Sequence, residues 1–402
     1  MGYNWTMDSE NIYDVVIAGG GLAGMTLACL LGRAGVRTAC IDQAPVQIQG
    51  QGDLRTTAIS YGSRKILDEA GIWEALESIA CPIKDIHILD GNSPVLLTFL
   101  NKEVQSKNFG WLVFNSDLRA SMLQKIKMLD SITHIAPAKI QNFEVTADIV
   151  SVLLEDGQKI FGRLIVGADG RNSFARAWMG VRTRAWNYRQ RAIICTVTHE
   201  NPHNNIAVEH FWPEGPFAIL PMSDSSTGEH RSAVVFTEHG PASRSFMNLD
   251  DAGFEAELNK RFPESYGAVQ LIGSRASYPL GLVHAAEYIK PRMALVADAA
   301  HAIHPIAGQG LNLGFRDVKE LAALVVQACA QGSDPGAPDL LATYQRRRRP
   351  DNMAMVAVTD GLNRLFSNNI MPVRLLRRAG LKAVPRLPAA RRFFMRQAMG
   401  DR

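Results

Sequence analysis

The sequence predicts a mixed α/β (α+β) fold: a Rossmann-like layer interleaved with an antiparallel-sheet domain and followed by a helical C-terminal tail. Three observations carry that expectation. A β-branched run at 13–18 leads into Gly19-Gly20-Gly21-Leu22-Ala23-Gly24, a GxGxxG. An apolar run at 293–297 ends on Asp298, and a loop bordered by glycines then opens a helical pattern at 311–329. Between the two, from 185 to 280, helical periodicity gives way to short alternating runs.

The bulk numbers fit that picture. At 402 residues, 47% hydrophobic and 20% charged, the chain holds enough apolar material for two or three domains or one large interleaved unit. Five scattered cysteines without CxxC spacing read as small apolar residues in a reducing compartment, which excludes a disulfide framework and a zinc cluster. The first residues are polar and carry Asp8 and Glu10, so no signal peptide is expected. No apolar stretch approaches the roughly 18 residues of a spanning helix. The expected place is the cytoplasm, or a peripheral position on the inner face of the cytoplasmic membrane. Net charge is only +4, but residues 346–402 hold 14 Arg/Lys against 3 Asp/Glu. A basic tail on an acidic body points to a partner surface. No aromatic-interleaved module supports nucleic acid as that partner.

Taken in order, the strand at 13–18, the helix at 22–34 and the strand at 36–41 form a β-α-β unit ending at Asp42. Gly19 makes the tight turn, Gly21 lets backbone approach a pyrophosphate, and Gly24 lets helix and strand pack closely. Leu22 and Ala23 open the helix whose N-terminus faces the phosphates, and Asp42 is placed for ribose hydroxyls. The motif alone leaves FAD or NAD open. A Gly-rich loop at 50–60 carries Arg55, a phosphate or flavin contact or a solvated cation. Helical patterns at 61–70 and 73–79 and strand-like runs at 85–89, 95–100 and 109–114 follow. Ser116 is the expected N-cap of a helix to about 128, with Arg119 on its first turn. Runs at 139–145, 149–154 and 159–161 follow, the last two joined by an Asp-Gly turn. The strand at 164–166 runs into Gly167-Ala168-Asp169-Gly170, a second acid-and-glycine turn. Strand runs at 192–198, 207–211, 217–222 and 232–237 build the antiparallel sheet. A helix at 252–261 and a run at 275–280 lead back to the strand at 293. The expected segments are 1–80, 111–184 and 281–345 for the cofactor layer, 81–110 and 185–280 for the substrate sheet, and 346–402 for the basic helical region.

The Asp298 stretch has a chemistry of its own. Its carboxylate can accept hydrogen bonds from ribose or ribityl hydroxyls. The backbone N–H groups behind it, with the helix dipole, can face a group that becomes negative, as the pyrimidine end of a reduced flavin does. His301 and His304 share a helical spacing, but Pro305 and the lack of a third ligand argue against a metal. His304 reads as a pocket or packing residue.

Three motifs now line up: GxGxxG at 19–24, Gly-Ala-Asp-Gly at 167–170, and the run from Ala297-Asp298 through His304-Pro305 to Gly308-Gln309-Gly310-Leu311-Asn312. Together they resemble the FAD-dependent aromatic hydroxylases of the para-hydroxybenzoate hydroxylase fold. Asp53-Leu54-Arg55, the stretch from Gly215 to Pro221, Tyr278-Pro279-Leu280 and Phe366-Ser367 make the chain most similar to the hydroxylases of ubiquinone biosynthesis. The resemblance covers nearly the whole chain. It implies FAD as cofactor, dioxygen as co-substrate, NAD(P)H or a protein carrier as reductant, and a flavin hydroperoxide as oxygen donor to a polyprenyl phenol. It further implies cofactor contacts at Asp42, Arg55, Arg119, Asp169, Asp298, Gly308, Gly310, Leu311 and Asn312. His304, Pro305, Gly308 and Gln309 would form the catalytic loop. Phe211, Phe217, Leu220 and Pro221 are candidates for the substrate wall, or else sheet core. Where the family has Gly-Asp this chain has Ala297-Asp298, whose methyl is expected to crowd the ribityl chain. The lipophilic substrate makes the basic tail a candidate contact for a membrane surface, for other proteins of the pathway, or for the core itself. A soluble aromatic substrate, or a FAD-binding scaffold without turnover, is the alternative.

Overall fold

A computed structural model describes residues 12–46, 53, 55–90, 97–212, 215–241, 244–304, 308–366 and 388–400. In chain order, β1 (Ile12–Ala18), α1 (Leu22–Arg33) and β2 (Thr38–Ile41) form the first unit. β3 (Thr56–Ser60), α2 (Tyr61–Glu69), β4 (Cys81–Ile83), β5 (Asp85–Asp90), β6 (Leu97–Phe99) and β7 (Gly110–Phe114) follow. Then come α3 (Asn115–Lys127), β8 (Ile132–Ile135), β9 (Ile140–Val145), β10 (Val150–Leu154), β11 (Lys159–Gly167) and α4 (Phe174–Trp178). The middle holds β12 (Thr183–His199), β13 (Ile206–Trp212), β14 (Gly215–Met222), β15 (His230–His239), α5 (Asp251–Arg261) and β16 (Val269–Ala285). The chain returns through β17 (Ile289–Lys290), β18 (Met293–Leu295), β19 (His301–Ala302), α6 (Gln309–Ala330), α7 (Pro338–Phe366) and α8 (Pro388–Met399).

The first sheet runs β17-β18-β11-β1-β2-β8, with β10 and β9 added to β11. From β18 to β8 its pairs are parallel. Val15–Ala18 is fully buried, as a parallel strand covered on both faces requires. The second sheet runs β19-β16-β12-β15-β14-β13-β5-β6 and is antiparallel except at β13–β5. A small sheet, β3-β7-β4, lies between them in the chain's path.

Several sequence expectations change. The runs at 192–198 and 275–280 are parts of two 17-residue strands, β12 and β16, paired from Thr183↔Ala285 to His199↔Val269. Register shifts at Asn187/Gln190 and Ile194/Thr196 interrupt their alternation, which is why only fragments read as strand. Likewise 159–161 and 164–166 are one strand, β11. Ser116 does not cap α3: β7 runs straight into the helix, Phe114 holds the cap position, and no side chain caps it. The segment 81–110 divides between two sheets, since β4 joins β7 while β5 and β6 join the second sheet. The expected boundary before residue 346 falls inside α7.

The main core lies around the first sheet, with α1, α3 and α6. A second cluster (Phe217, Phe236, Phe254, Phe262) fills the space between the second sheet and α5. A third lies on the sheet's other face, where Ile86, Ile88, Ala207 and Leu220 meet Met395 and Met399 of α8. Each fully buried side chain of this size contributes about 1.5–3 kcal/mol. Among the described residues no helix is long and apolar enough to cross a membrane.

Candidate flavin and substrate site

The GxGxxG turn has the geometry its glycines require. Gly19 has φ +114°, and a Cβ there would lie 2.5 Å from the Ala168 carbonyl oxygen. The first glycine turn is therefore pressed against the second acid-and-glycine turn. A Cβ on Gly24 would run into the Gly19 carbonyl oxygen, whereas one on Gly21 would meet nothing within 4 Å. Gly21 is also the N-cap of α1, with no side-chain cap and no acid in the first turn. The first N–H groups of α1 thus have no capping side chain, and with open space beside Gly21 and the helix dipole behind them this end of the helix fits a pyrophosphate.

Asp42 ends β2 beside this turn and is nearly buried. Arg119 donates to its carboxylate at 2.8 Å and to the Gly20 carbonyl at 2.8 Å, and the Ala44 N–H donates to it at 3.0 Å. Arg119 thus fixes the acid and the glycine turn together.

Asp169 serves locally: it accepts from the Ser173 hydroxyl at 2.5 Å and the Ala175 N–H at 2.9 Å, which shapes the start of α4. Arg176 then donates to the carbonyls of Ala299 at 2.9 Å and Arg171 at 2.8 Å, tying this turn to the Asp298 turn.

Asp298 stands open to solvent and makes no hydrogen bond or ion pair among the described residues. Yet the surrounding protein pushes its carboxyl above the ordinary value, against the pull of His301, Arg171 and Arg55. A carboxylate both walled by protein and reached by water lines a recess. Arg55 pairs with Asp53 at 2.7 Å and lies 6.0 Å from the centre of the Tyr278 ring.

Ala297 corrects an expectation. It sits at φ +53°, and a Cβ on Gly314 of α6 would lie 2.6 Å from the Ala297 methyl. The methyl is buried against α6 and does not crowd the recess. Beneath this turn lies a buried network that the sequence reading missed. Asp317 accepts from the His301 ring, from Arg348 at 2.8 Å, from Asn352 at 2.9 Å and from the Ala297 N–H at 3.1 Å. Burial alone would raise the Asp317 carboxyl, but His301, Arg348 and Asn352 outweigh it and hold it low. The available signal was an acid on the apolar stripe of α6, between Leu313 and Leu321.

The basic region is thereby partly explained by packing. Arg348 is buried on Asp317 and Asp351, Arg347 pairs with Glu320, Arg364 with Asp360 and Arg391 with Glu103.

Gly308 caps α6 at φ +61° with no side-chain cap, and no acid stands in the first turn. With the helix dipole behind it, this end of α6 favours a group that becomes negative. The Asn312 side chain is fully engaged: it accepts from the Ser60 N–H at 2.9 Å and donates to the carbonyls of Ala58 at 2.8 Å and Gly308 at 3.0 Å. It fastens the loop to β3. His304 is buried with its ring edge-on to Tyr188 at 5.1 Å, and burial lowers it to about 4. It is neutral at physiological pH. Pro305 lies outside the described residues.

Of the four wall candidates, Phe217 is core beneath α5, in contact with Phe236 and Phe262. Strand alternation puts Pro221 on that same face. Leu220 is on the opposite face, with Ala58 and Leu112, and Phe211 is buried on that face by alternation.

The family model for the FAD binding domain matches residues 12–359. The chain is 45% identical over 397 residues to ubiquinone hydroxylase UbiL of Rhodospirillum rubrum, covering 98% of this chain and 91% of that one. It is 32% identical over 391 residues to 3-demethoxyubiquinol 3-hydroxylase of Escherichia coli, covering 96% and 98%. Its fold matches p-nitrophenol 4-monooxygenase PnpA of Pseudomonas putida DLL-E4 with a TM-score of 0.80, over 97% of this chain and 99% of that one. At 19% identity that likeness is one of fold.

Proposed function

The chain belongs to the family of FAD-binding monooxygenases, and from that premise we propose that it hydroxylates the aromatic ring of a polyprenyl phenol, a ubiquinone precursor. The observation that carries the substrate reading is one apolar face shared by the second sheet, β3 and α8. It runs from Ala58 and Leu220 to Met395 and Met399 of α8. Ala58 is 3.5 Å from where a side chain on Gly308 would begin, so this face adjoins the loop that opens α6. A lipophilic ring can be held there with water excluded.

In this reading the N-terminus of α1 takes the pyrophosphate of FAD, and Asp42, held by Arg119, takes the ribose. Asp298 accepts hydrogen bonds from the ribityl hydroxyls. The N–H groups behind Gly308 stabilise negative charge at the pyrimidine end, and Asn312 holds that loop in place. Bound there, the flavin supplies the redox chemistry that activates dioxygen. The reductant, NAD(P)H or a protein carrier, binds transiently. Access to the substrate would be from the inner face of the membrane, through α8, where Phe394, Arg392 and Arg396 are exposed. Each such cation near an anionic surface contributes about 1 kcal/mol.

The test is chemical analysis of cells lacking the gene. A prenylated phenol one oxygen short should accumulate and should disappear when the wild-type chain, but not Asp298→Ala, is restored. A normal quinone profile would transfer the reading to a soluble aromatic substrate.

A further inference from the structure

One residue breaks the apolar pattern of this face. Glu209 of β13 stands between Val208, packed beneath α5, and His210, whose ring meets the Arg261 carbonyl at 3.1 Å on that same side. Alternation therefore turns Glu209 to the opposite face. Its register partners there are Ala218 on β14 and Ile88 on β5. Around it lie Ala207, Ile86 and Leu220, with Met395 and Met399 of α8 above them.

Glu209 is only partly exposed and makes no hydrogen bond or ion pair among the described residues. Burial pushes its carboxyl up to about 7, and no neighbouring charge pulls it back down. The other titratable groups sharing this face are engaged or outward, and His87 of β5 alternates to the opposite face. Asp90 on β5 is buried and partnered, Arg391 on α8 is held by Glu103, Asp360 on α7 holds Arg364, and Arg396 is exposed. Tyr61 packs at the edge of the cluster between Lys65 and Lys107. A carboxyl without a partner in an apolar wall is costly unless a ligand supplies the missing donor.

We propose that Glu209 is a catalytic residue that accepts a hydrogen bond from the ring hydroxyl of the phenol and takes its proton during hydroxylation. The proposal rests on the reading of this face as the phenol site. As a ring carbon ortho or para to the hydroxyl forms its bond to one oxygen of dioxygen, the O–H bond breaks. Its electron pair moves into the ring and its proton passes to a Glu209 carboxylate oxygen. The attacked carbon then loses its proton, and the ring oxygen takes one back from Glu209. With two electrons from NAD(P)H or a protein carrier and two accompanying protons, the O–O bond breaks: one oxygen stays on the ring as a hydroxyl, and the other leaves as hydroxide, takes the proton lost by the attacked carbon and departs as water.

The test uses the oxidised, FAD-loaded enzyme without reductant, titrated with 2-geranylphenol and with its methyl ether by flavin absorbance. Wild type should prefer the phenol about tenfold or more at pH 8, as a hydrogen bond to a charged acceptor implies. The preference should shrink below pH 7. Glu209→Gln, which keeps the shape, should retain part of the preference but lose its pH dependence. Glu209→Leu should bind both ligands equally. In turnover, Glu209→Gln should lose on the order of 10²–10⁴ in kcat with little change in KM. Equal binding of phenol and ether to wild type, or wild-type turnover by Glu209→Gln, would overturn the role of Glu209 and leave the phenol site standing. Failure of both ligands to bind any variant would overturn the site and the role together.

Discussion

Gly21 and Gly24 stand three positions apart, and the space around them separates folding from cofactor binding. A methyl on Gly24 has nowhere to go, because the Gly19 carbonyl oxygen already occupies its place. Gly24→Ala must push α1 away from β1 and should cost about 1–3 kcal/mol, the usual cost of overpacking. A methyl on Gly21 enters open space at an ordinary φ of −72°. Gly21→Ala should leave the thermal midpoint of the protein without FAD nearly unchanged, within about 0.5 kcal/mol. It should still weaken FAD binding by roughly tenfold or more, since the backbone donors can no longer reach a charged group. Thermal unfolding and fluorescence titration of added FAD measure the two effects separately. If Gly21→Ala unfolds early, or binds FAD like wild type, the open space over Gly21 is not the pyrophosphate site.

At the scale of elements, the turn carrying Asp298 is held by α6 from below. Ala297 occupies a left-handed conformation that costs a residue with a Cβ about 1–2 kcal/mol. Its methyl fills the space that Gly314 leaves on α6. Gly314→Ala therefore puts two methyls 2.6 Å apart and should destabilise by about 1–3 kcal/mol. Ala297→Gly removes the opposing methyl and relieves the strained φ, so alone it should stabilise by up to about 1 kcal/mol. The double variant should recover most of what Gly314→Ala loses, a coupling a double-mutant cycle by denaturant unfolding reads directly. Additive losses would mean that Gly314 is constrained by something other than Ala297. The same packing turned an expected obstruction of the cofactor into a contact between elements. That outcome was invisible in sequence, because the partner of Ala297 lies 17 positions away on another element.

At the scale of the molecule, what the sequence revealed was what neighbouring residues decide. The GxGxxG turn with Asp42, and the Asp298 strand with its helix, are short chains of local geometry, and the interleaved order of the two sheets followed from where the period changed. Features needing distant partners were hidden. Arg348 looked like one more tail cation because its burial depends on Asp317, 31 positions away. Glu209 looked like an ordinary strand residue because only the third cluster, brought in by α8, makes its environment apolar. These hidden groups set how stability responds to pH. Burial lowers His284 and His304 to about 4, from an ordinary value near 6.5. Between those values the unfolded chain binds the protons and the folded chain does not, so stability rises with pH from about 4 to 6.5 and is complete above it. Each tenfold loss of proton affinity on folding is worth about 1.4 kcal/mol before solvent screening. The pair should therefore contribute roughly 2–4 kcal/mol across that window. Glu209 acts oppositely: its folded carboxyl keeps its proton to about 7. Stability is lost as pH rises from the ordinary carboxyl range through 7. Glu209→Gln should accordingly be more stable than wild type at pH 8, by about 1–2 kcal/mol after screening, and equal to it at pH 4. Denaturant unfolding of both proteins at saturating FAD across pH 4–8 tests this. A variant no more stable than wild type at pH 8 would mean that Glu209 ionises freely, with a partner or water that this apolar face does not provide.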